Sequence, residues 1–102
     1  KKFIPAARKI NLMKKIRQQL RFTGHVQGVG FRYTAYHLAQ NIGITGWVYN
    51  DYDGSVLMQA QGTKEQISSL TNSLENGTFI QIDNIERTEI PVDLTERTFK
   101  IR

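Results

Sequence analysis

Over residues 16–23, apolar and polar side chains alternate: Ile16, Leu20 and Phe22 share one face with Gln18, and Arg17, Gln19 and Arg21 share the other. A period of two predicts a half-buried strand. The spacing then lengthens. Phe31, Ala35, Leu38, Ala39 and Ile42 recur as one helical stripe, and Gly43 stands where a left-handed residue ends a helix. Alternation returns over 44–50, with Trp47 and Tyr49 opposite Gly46, Val48 and Asn50. It resumes over 55–61, with Val56, Met58 and Ala60 opposite Leu57 and Gln59. Asp51-Tyr52-Asp53-Gly54 between them has turn chemistry, so the two runs should form an antiparallel hairpin.

Thr63-x-x-Gln66 fits a capping box opening a second helix, whose stripe is Ile67, Leu70 and Leu74 and whose stop is Asn76-Gly77. Residues 79–90 predict a long strand with an irregularity at Asp83-Asn84. Pro91 confines the residues after it to an edge or loop. Residues 98–102 alternate once more, with Phe99 and Ile101 expected inward. The order β-α-β-β-α-β, plus a short C-terminal strand, is satisfied by an α+β, ferredoxin-like split β-α-β sandwich. It has an antiparallel sheet with both helices on one face. Right-handed crossovers place the first and third strands centrally.

The chain has 102 residues, enough for one domain with its own core. That domain is expected over 15–102, with 1–14 an N-terminal extension, disordered or non-native in part. Met13 before Lys14-Lys15 is a candidate natural start; a native, poorly ordered tail is the alternative. The apolar runs there are too short for a signal sequence or a membrane span.

Net charge is +5, which by itself would favour an anionic partner. However, residues 1–21 hold eight of the 14 Lys and Arg and no acid, so the excess belongs to the amino terminus rather than to a site. A basic arm for an anionic surface is a further reading of that segment. There are no cysteines, which excludes disulfides and thiol catalysis. With two histidines and no HxxxH spacing, a zinc site is not expected.

The chemistry concentrates in Gly24-His25-Val26-Gln27-Gly28-Val29-Gly30-Phe31-Arg32, between a strand and a helix. Glycines permit positive φ and close approach. Successive N–H groups from His25 to Gly30, with the N-terminus of the helix, can converge on an anion. Arg32 adds a forked, permanent charge that lysine could not reproduce. A cation is badly placed at a helix N-terminus unless a bound anion or a carboxylate offsets it. The spacing fits neither the dinucleotide fingerprint nor the Walker loop. Taken alone, the loop also reads as a tight turn with a solvated arginine.

The string Gly24-x-Val26-Gln27-Gly28-Val29-x-Phe31-Arg32 resembles the signature of the acylphosphatases. Gly46-Trp47-Val48-x-Asn50-x-x-x-Gly54-x-Val56 resembles that family's second signature, at the expected distance. The resemblance covers roughly residues 15–102. It implies hydrolysis of acyl phosphates to a carboxylate and inorganic phosphate. In that reading Arg32 and the loop His25, Val26, Gln27, Gly28, Val29 and Gly30 bind phosphate, and Asn50 orients the attacking water. An asparagine amide can accept from water and donate to a phosphoryl oxygen, but it is no strong base. An acyl phosphate leaves as a carboxylate whose conjugate acid has a pKa of about 4, so it needs no proton from the protein. No metal or cofactor is implied. The expected partner is a small acyl phosphate, with inorganic phosphate or another anion in the loop, and the protein is expected to be a cytoplasmic monomer with no membrane or nucleic-acid partner.

The remaining candidates have blander readings. His25 reads as a loop-surface residue and His37 as structural. Trp47, Tyr49, Tyr33 and Tyr36 line a cleft for the acyl group or, the preferred reading, pack in the core. Whether a terminal carboxylate at Arg102 holds Arg32 stays open. Two alternatives share the topology: an RNA-binding module, and a regulatory module like the amino-terminal part of larger carbamoyl-phosphate-using maturation proteins. The expected exposed aromatics on the central strands are missing, which argues against the first.

Overall fold

The alternating run near the amino terminus becomes the central strand β1, Lys15–His25, in a computed structural model that describes residues 14–102. The expectations for residues 1–13, Met13 as a natural start among them, lie outside the described residues. The other elements are α1 (Phe31–Ile42), β2 (Thr45–Asn50), β3 (Val56–Thr63), α2 (Lys64–Glu75), β4 (Gln81–Ile90) and β5 (Phe99–Ile101). The sheet order is β4-β1-β3-β2-β5, so the first and third strands are central as the crossovers require. β1 pairs antiparallel with β3 and β4, and β2 pairs antiparallel with β3. β5 is the addition: it lies parallel to β2, which makes the sheet mixed. Among the described residues no helix is long and apolar enough to cross a membrane.

Both helices bury their stripes against one face of the sheet. Leu20, Phe22, Val48, Val56, Met58 and Ala60 meet Phe31, Ala35 and Ala39 of α1 and Ile67, Leu70 and Leu74 of α2. Phe22 and Phe31 pack with ring centroids 4.9 Å apart. The Thr63 hydroxyl accepts from the Gln66 N–H at 3.1 Å, and the Thr63 N–H donates to Gln66 Oε1 at 2.8 Å, completing the capping box. The β1–β4 register shifts after Thr23, pairing it with Asn84 and Gly24 with Ile82, so Asp83 is the extra residue of a bulge. Phe99 is buried, but Ile101 is 43% exposed, against the inward placement expected from alternation. β5 is an edge strand only three residues long, and the core reaches no further than its first position.

The opposite face of the sheet is tied to residues 91–98, which join β4 at one edge to β5 at the other. Arg17 of β1 is buried there at 4% exposure. Its guanidinium donates to both Glu96 oxygens, at 2.7 and 3.2 Å, and to Gln59 and Gln61 of β3. Gln61 donates from Nε2 to the Asp93 carbonyl at 2.9 Å and accepts from its N–H at 2.8 Å. The connector is therefore strapped to the two central strands by charge-assisted bonds.

Two turns are set by aspartates. Asp53 accepts from the Ser55 hydroxyl at 2.6 Å and N–H at 2.9 Å. Those bonds, the hydroxyl first, with help from Arg21, hold its carboxyl below the ordinary value of 3.8. Asp93 is lowered in the same way, first by the Thr95 hydroxyl, then by its N–H, with Arg17 beyond.

These ties can be tested one at a time. Glu96→Ala leaves the buried Arg17 charge without its anion and should cost about 3 kcal/mol in urea unfolding, the low end for such pairs because Glu96 is partly exposed. A carboxylate whose folded pKa is depressed stabilises the fold above its unfolded value, and that contribution is lost as pH falls through the folded one. Melting temperature should therefore drop as pH falls below 3.8, and Asp53→Asn should flatten that drop. An unchanged pH profile in Asp53→Asn would show that the turn contributes nothing to acid sensitivity.

Candidate active site

β3 lies between β1 and β2 and is antiparallel to both, so β1 and β2 run the same way and end at one edge of the sheet. Phe22 and Asn50 both pair with Val56 across β3. The loop that leaves β1 and the asparagine that ends β2 are thereby neighbours despite their separation in sequence. β5, parallel to β2, delivers Arg102 to the same edge. α1 begins there.

The loop residues divide by role. Gly28 and Gly30 have φ of 75° and 78°, and a Cβ on either would meet nothing within 4 Å. They are required by backbone conformation, and the space beside them is open. Gly30 caps α1 without any side-chain bond, so the N–H groups of the first helical turn have no capping side chain. Val26 is buried at 1% exposure and anchors the loop in the core, with Val29 packed against it. His25 is exposed at the end of β1.

Gln27 does something the sequence did not show. Its amide Nε2 donates to the Asp51 carbonyl at 2.6 Å and to the Ser55 carbonyl at 2.9 Å. It clamps the loop to the base of the β2–β3 hairpin, one residue from Asn50. The only advance signal was a long amide within a glycine-rich loop. Arg21 grips the same hairpin from β1, donating to Asp51 Oδ2 at 3.2 Å and to the Ser55 hydroxyl.

A cavity of about 180 Å³ is lined by Val26, Gly28, Gly30, Phe31, Arg32, Tyr33 and Asn50. It thus joins Arg32, Asn50, the loop glycines and the start of α1, whereas His25, Gln27 and Val29 do not line it. Arg32 Nη1 donates to the main-chain oxygen of Arg102 at 2.9 Å, which offsets part of its conflict with the helix dipole. The Arg102 guanidinium is itself stacked on Trp47, 4.6 Å from the ring centre. Asn50 Oδ1 is, among the described residues, the one buried side-chain oxygen or nitrogen left without a hydrogen-bond partner. Such an acceptor costs roughly 1–3 kcal/mol.

Three of the four aromatics read as core lie outside it: Trp47 is half-buried on the outer face of β2, apart from the core cluster, and Tyr33 and Tyr49 join it. Tyr33 is 66% exposed and Tyr49 41% exposed, so neither is a core residue. Tyr33 lies on the flank of α1 away from the Phe31–Ala35–Ala39 stripe, and Tyr49 on the outer face of β2. Tyr36 does pack against the core, half-buried. His37 is exposed, with its ring between Tyr33 and Tyr36.

One further close approach explains the second glycine block. Gly46 has φ 142°, and a Cβ there would fall 1.9 Å from the Gln59 carbonyl oxygen. Only glycine lets β2 lie this tightly on β3.

The family model described as Acylphosphatase matches residues 18–101. An acylphosphatase of Caldanaerobacter subterraneus subsp. tengcongensis is 42% identical over 83 residues, covering 80% of this chain and 92% of the relative. The crystal structure of acylphosphatase from Bacillus subtilis superposes with a TM-score of 0.79 at 32% identity, covering 85% of this chain and 98% of that one. The same unit occurs within a larger chain, full-length HypF in its phosphate- and nucleotide-bound form: TM-score 0.79 at 27% identity, covering 88% of this chain and 12% of that one. With the family model spanning nearly the whole domain and both signatures meeting in one cavity, the chain belongs to the acylphosphatase family.

Proposed function

We propose that the acyl-phosphate hydrolysis of this family runs here on Arg32, the Gly28–Gly30 turn, the first N–H groups of α1, and Asn50. The observation that carries the assignment is that Asn50 lines the cavity that Arg32 and the start of α1 share, and that its buried Oδ1 has no hydrogen-bond partner. A water donating to that oxygen satisfies it and is held beside the phosphoryl group. The Asn50 amide N–H₂ is then available to a phosphoryl oxygen.

Arg32 and the helix N-terminus carry the phosphoryl charge, which spreads over three oxygens in the loose transition state. Water forms the new P–O bond as the bond to the acyl oxygen breaks. The bonding pair leaves with the carboxylate. Both water protons stay on the phosphate, as dihydrogen phosphate, or pass to solvent. No group in the cavity must act as a strong base, because the leaving group needs no proton and positioning supplies most of the rate.

The Gln27 side chain takes a further role beside that of the backbone donor expected in the loop. It sets the distance between the loop and Asn50 through the hairpin. His25 and Val29 have supporting places beside the cradle. We take the protein to act as a cytoplasmic monomer, with inorganic phosphate as product and loop ligand. The RNA-binding alternative finds no support, since the outer sheet face is engaged by the 91–98 strap.

Three outcomes test this. With chelator present, the protein should hydrolyse benzoyl and acetyl phosphate but not phosphate monoesters; activity on monoesters alone would overturn the reading. Arg32→Ala and Asn50→Ala should each lower kcat/KM about 100-fold or more. Arg32→Ala should also abolish inhibition by inorganic phosphate, while Asn50→Ala keeps it. Near-full activity in either variant removes that residue from the site. Gln27→Ala should lower kcat about tenfold with the phosphate inhibition constant little changed, since the cradle remains and Asn50 is displaced.

A further inference from the structure

Arg32 and Asn50 account for the phosphoryl half of a substrate and leave Tyr33 unexplained. Tyr33 lines the same cavity and is 66% exposed, an uncovered aromatic beside a polar cradle. Its ring is nevertheless held. It stands edge-on to His37, with centroids 4.3 Å apart at 70°. His37 is edge-on to Tyr36 at 5.3 Å and 81°, and the Tyr36 hydroxyl accepts from the Gln40 amide at 3.0 Å. Tyr33 and His37, and Tyr36 and Gln40, are four apart and so neighbours on the helix, and the Tyr36–His37 contact joins the two pairs along the flank of α1. Helical side chains lean toward the N-terminus of their helix, and here that direction leads to the cavity.

The cavity floor is closed by Val26 and Phe31, which are buried at 1% and 2% exposure. A phosphoryl group bound at the loop must therefore send its acyl group outward, past the rim. Resting on the phosphate-site reading above, we propose that Tyr33 is a specificity residue whose ring, braced by His37, receives the acyl group. The substrate class is then acyl phosphates with an apolar, above all aromatic, acyl group, in preference to acetyl phosphate. A planar acyl group gains ring-on-ring contact, whereas a methyl group covers little of the surface.

The experiment compares benzoyl and acetyl phosphate in the unaltered protein, Tyr33→Phe, Tyr33→Ala and His37→Ala, with inhibition by inorganic phosphate measured in each. Tyr33→Ala should lower the ratio of kcat/KM for benzoyl over acetyl phosphate about three- to tenfold. Tyr33→Phe should keep the ratio, and His37→Ala should lower it by a smaller factor. The inhibition constant of phosphate, which reads the loop and Arg32, should move by less than about twofold. A benzoyl-to-acetyl ratio that is the same in Tyr33→Ala, or that Tyr33→Phe fails to keep, overturns the assignment while leaving the phosphate site intact. Absence of both hydrolysis and phosphate inhibition in the unaltered protein sinks the phosphate-site reading and this inference with it.

Discussion

The site depends on one pairing constraint: β3 is hydrogen-bonded antiparallel to β1 on one side and to β2 on the other. Two strands antiparallel to a common third are parallel to each other. Their carboxyl ends therefore share an edge, and so do the loop after β1 and the asparagine that closes β2. Gly46 sharpens this arrangement, because the backbone of β2 comes too near the Gln59 carbonyl for any side chain. β5 repeats the logic by pairing parallel to β2, which brings Arg102 to the same edge.

What assembles there is a set of groups that would be unfavourable apart. Arg32 sits in the first turn of α1, where the helix dipole opposes a cation. Asn50 buries an acceptor without a partner. The helix begins at a left-handed glycine with no side-chain cap. Each of these is a local conflict, and under the proposed function a single phosphoryl group with its water would offset all three. Conflicts that share one remedy are characteristic of functional sites. The Gln27 clamp keeps them together, since its amide satisfies two hairpin carbonyls and so ties the loop to the strand end carrying Asn50.

The strap of residues 91–98 shapes function by occupation. In a split βαβ sheet with both helices on one face, the other face is open to a ligand. Here Arg17, Gln59 and Gln61 commit their donors and acceptors to Glu96 and Asp93. The same connector delivers β5, whose Phe99 enters the core and whose next turn of chain reaches Arg32 through the Arg102 main chain. The outer face of the sheet is thus committed to the strap, and the cavity of the two motifs lies at the strand ends.

By itself, the sequence determined the elements, their order and the chemistry of the two motifs. Periods of two and of 3.6 are written in neighbouring residues, and the capping box and the glycine positions act over a few bonds. The bulge at Asp83 and the central places of β1 and β3 came from the same local signals and chirality. Only the tertiary structure decided what depends on distant partners. Alternation could not say that Ile101 lies beyond the core or that Tyr33 and Tyr49 are exposed, because burial is set by what lies opposite. Spacing could not show that the Gln27 side chain spans to Asp51 and Ser55, that Arg17 is buried against Glu96, or that Asn50 keeps an unsatisfied oxygen. Those facts are distances across the fold, and no local pattern of side chains encodes them.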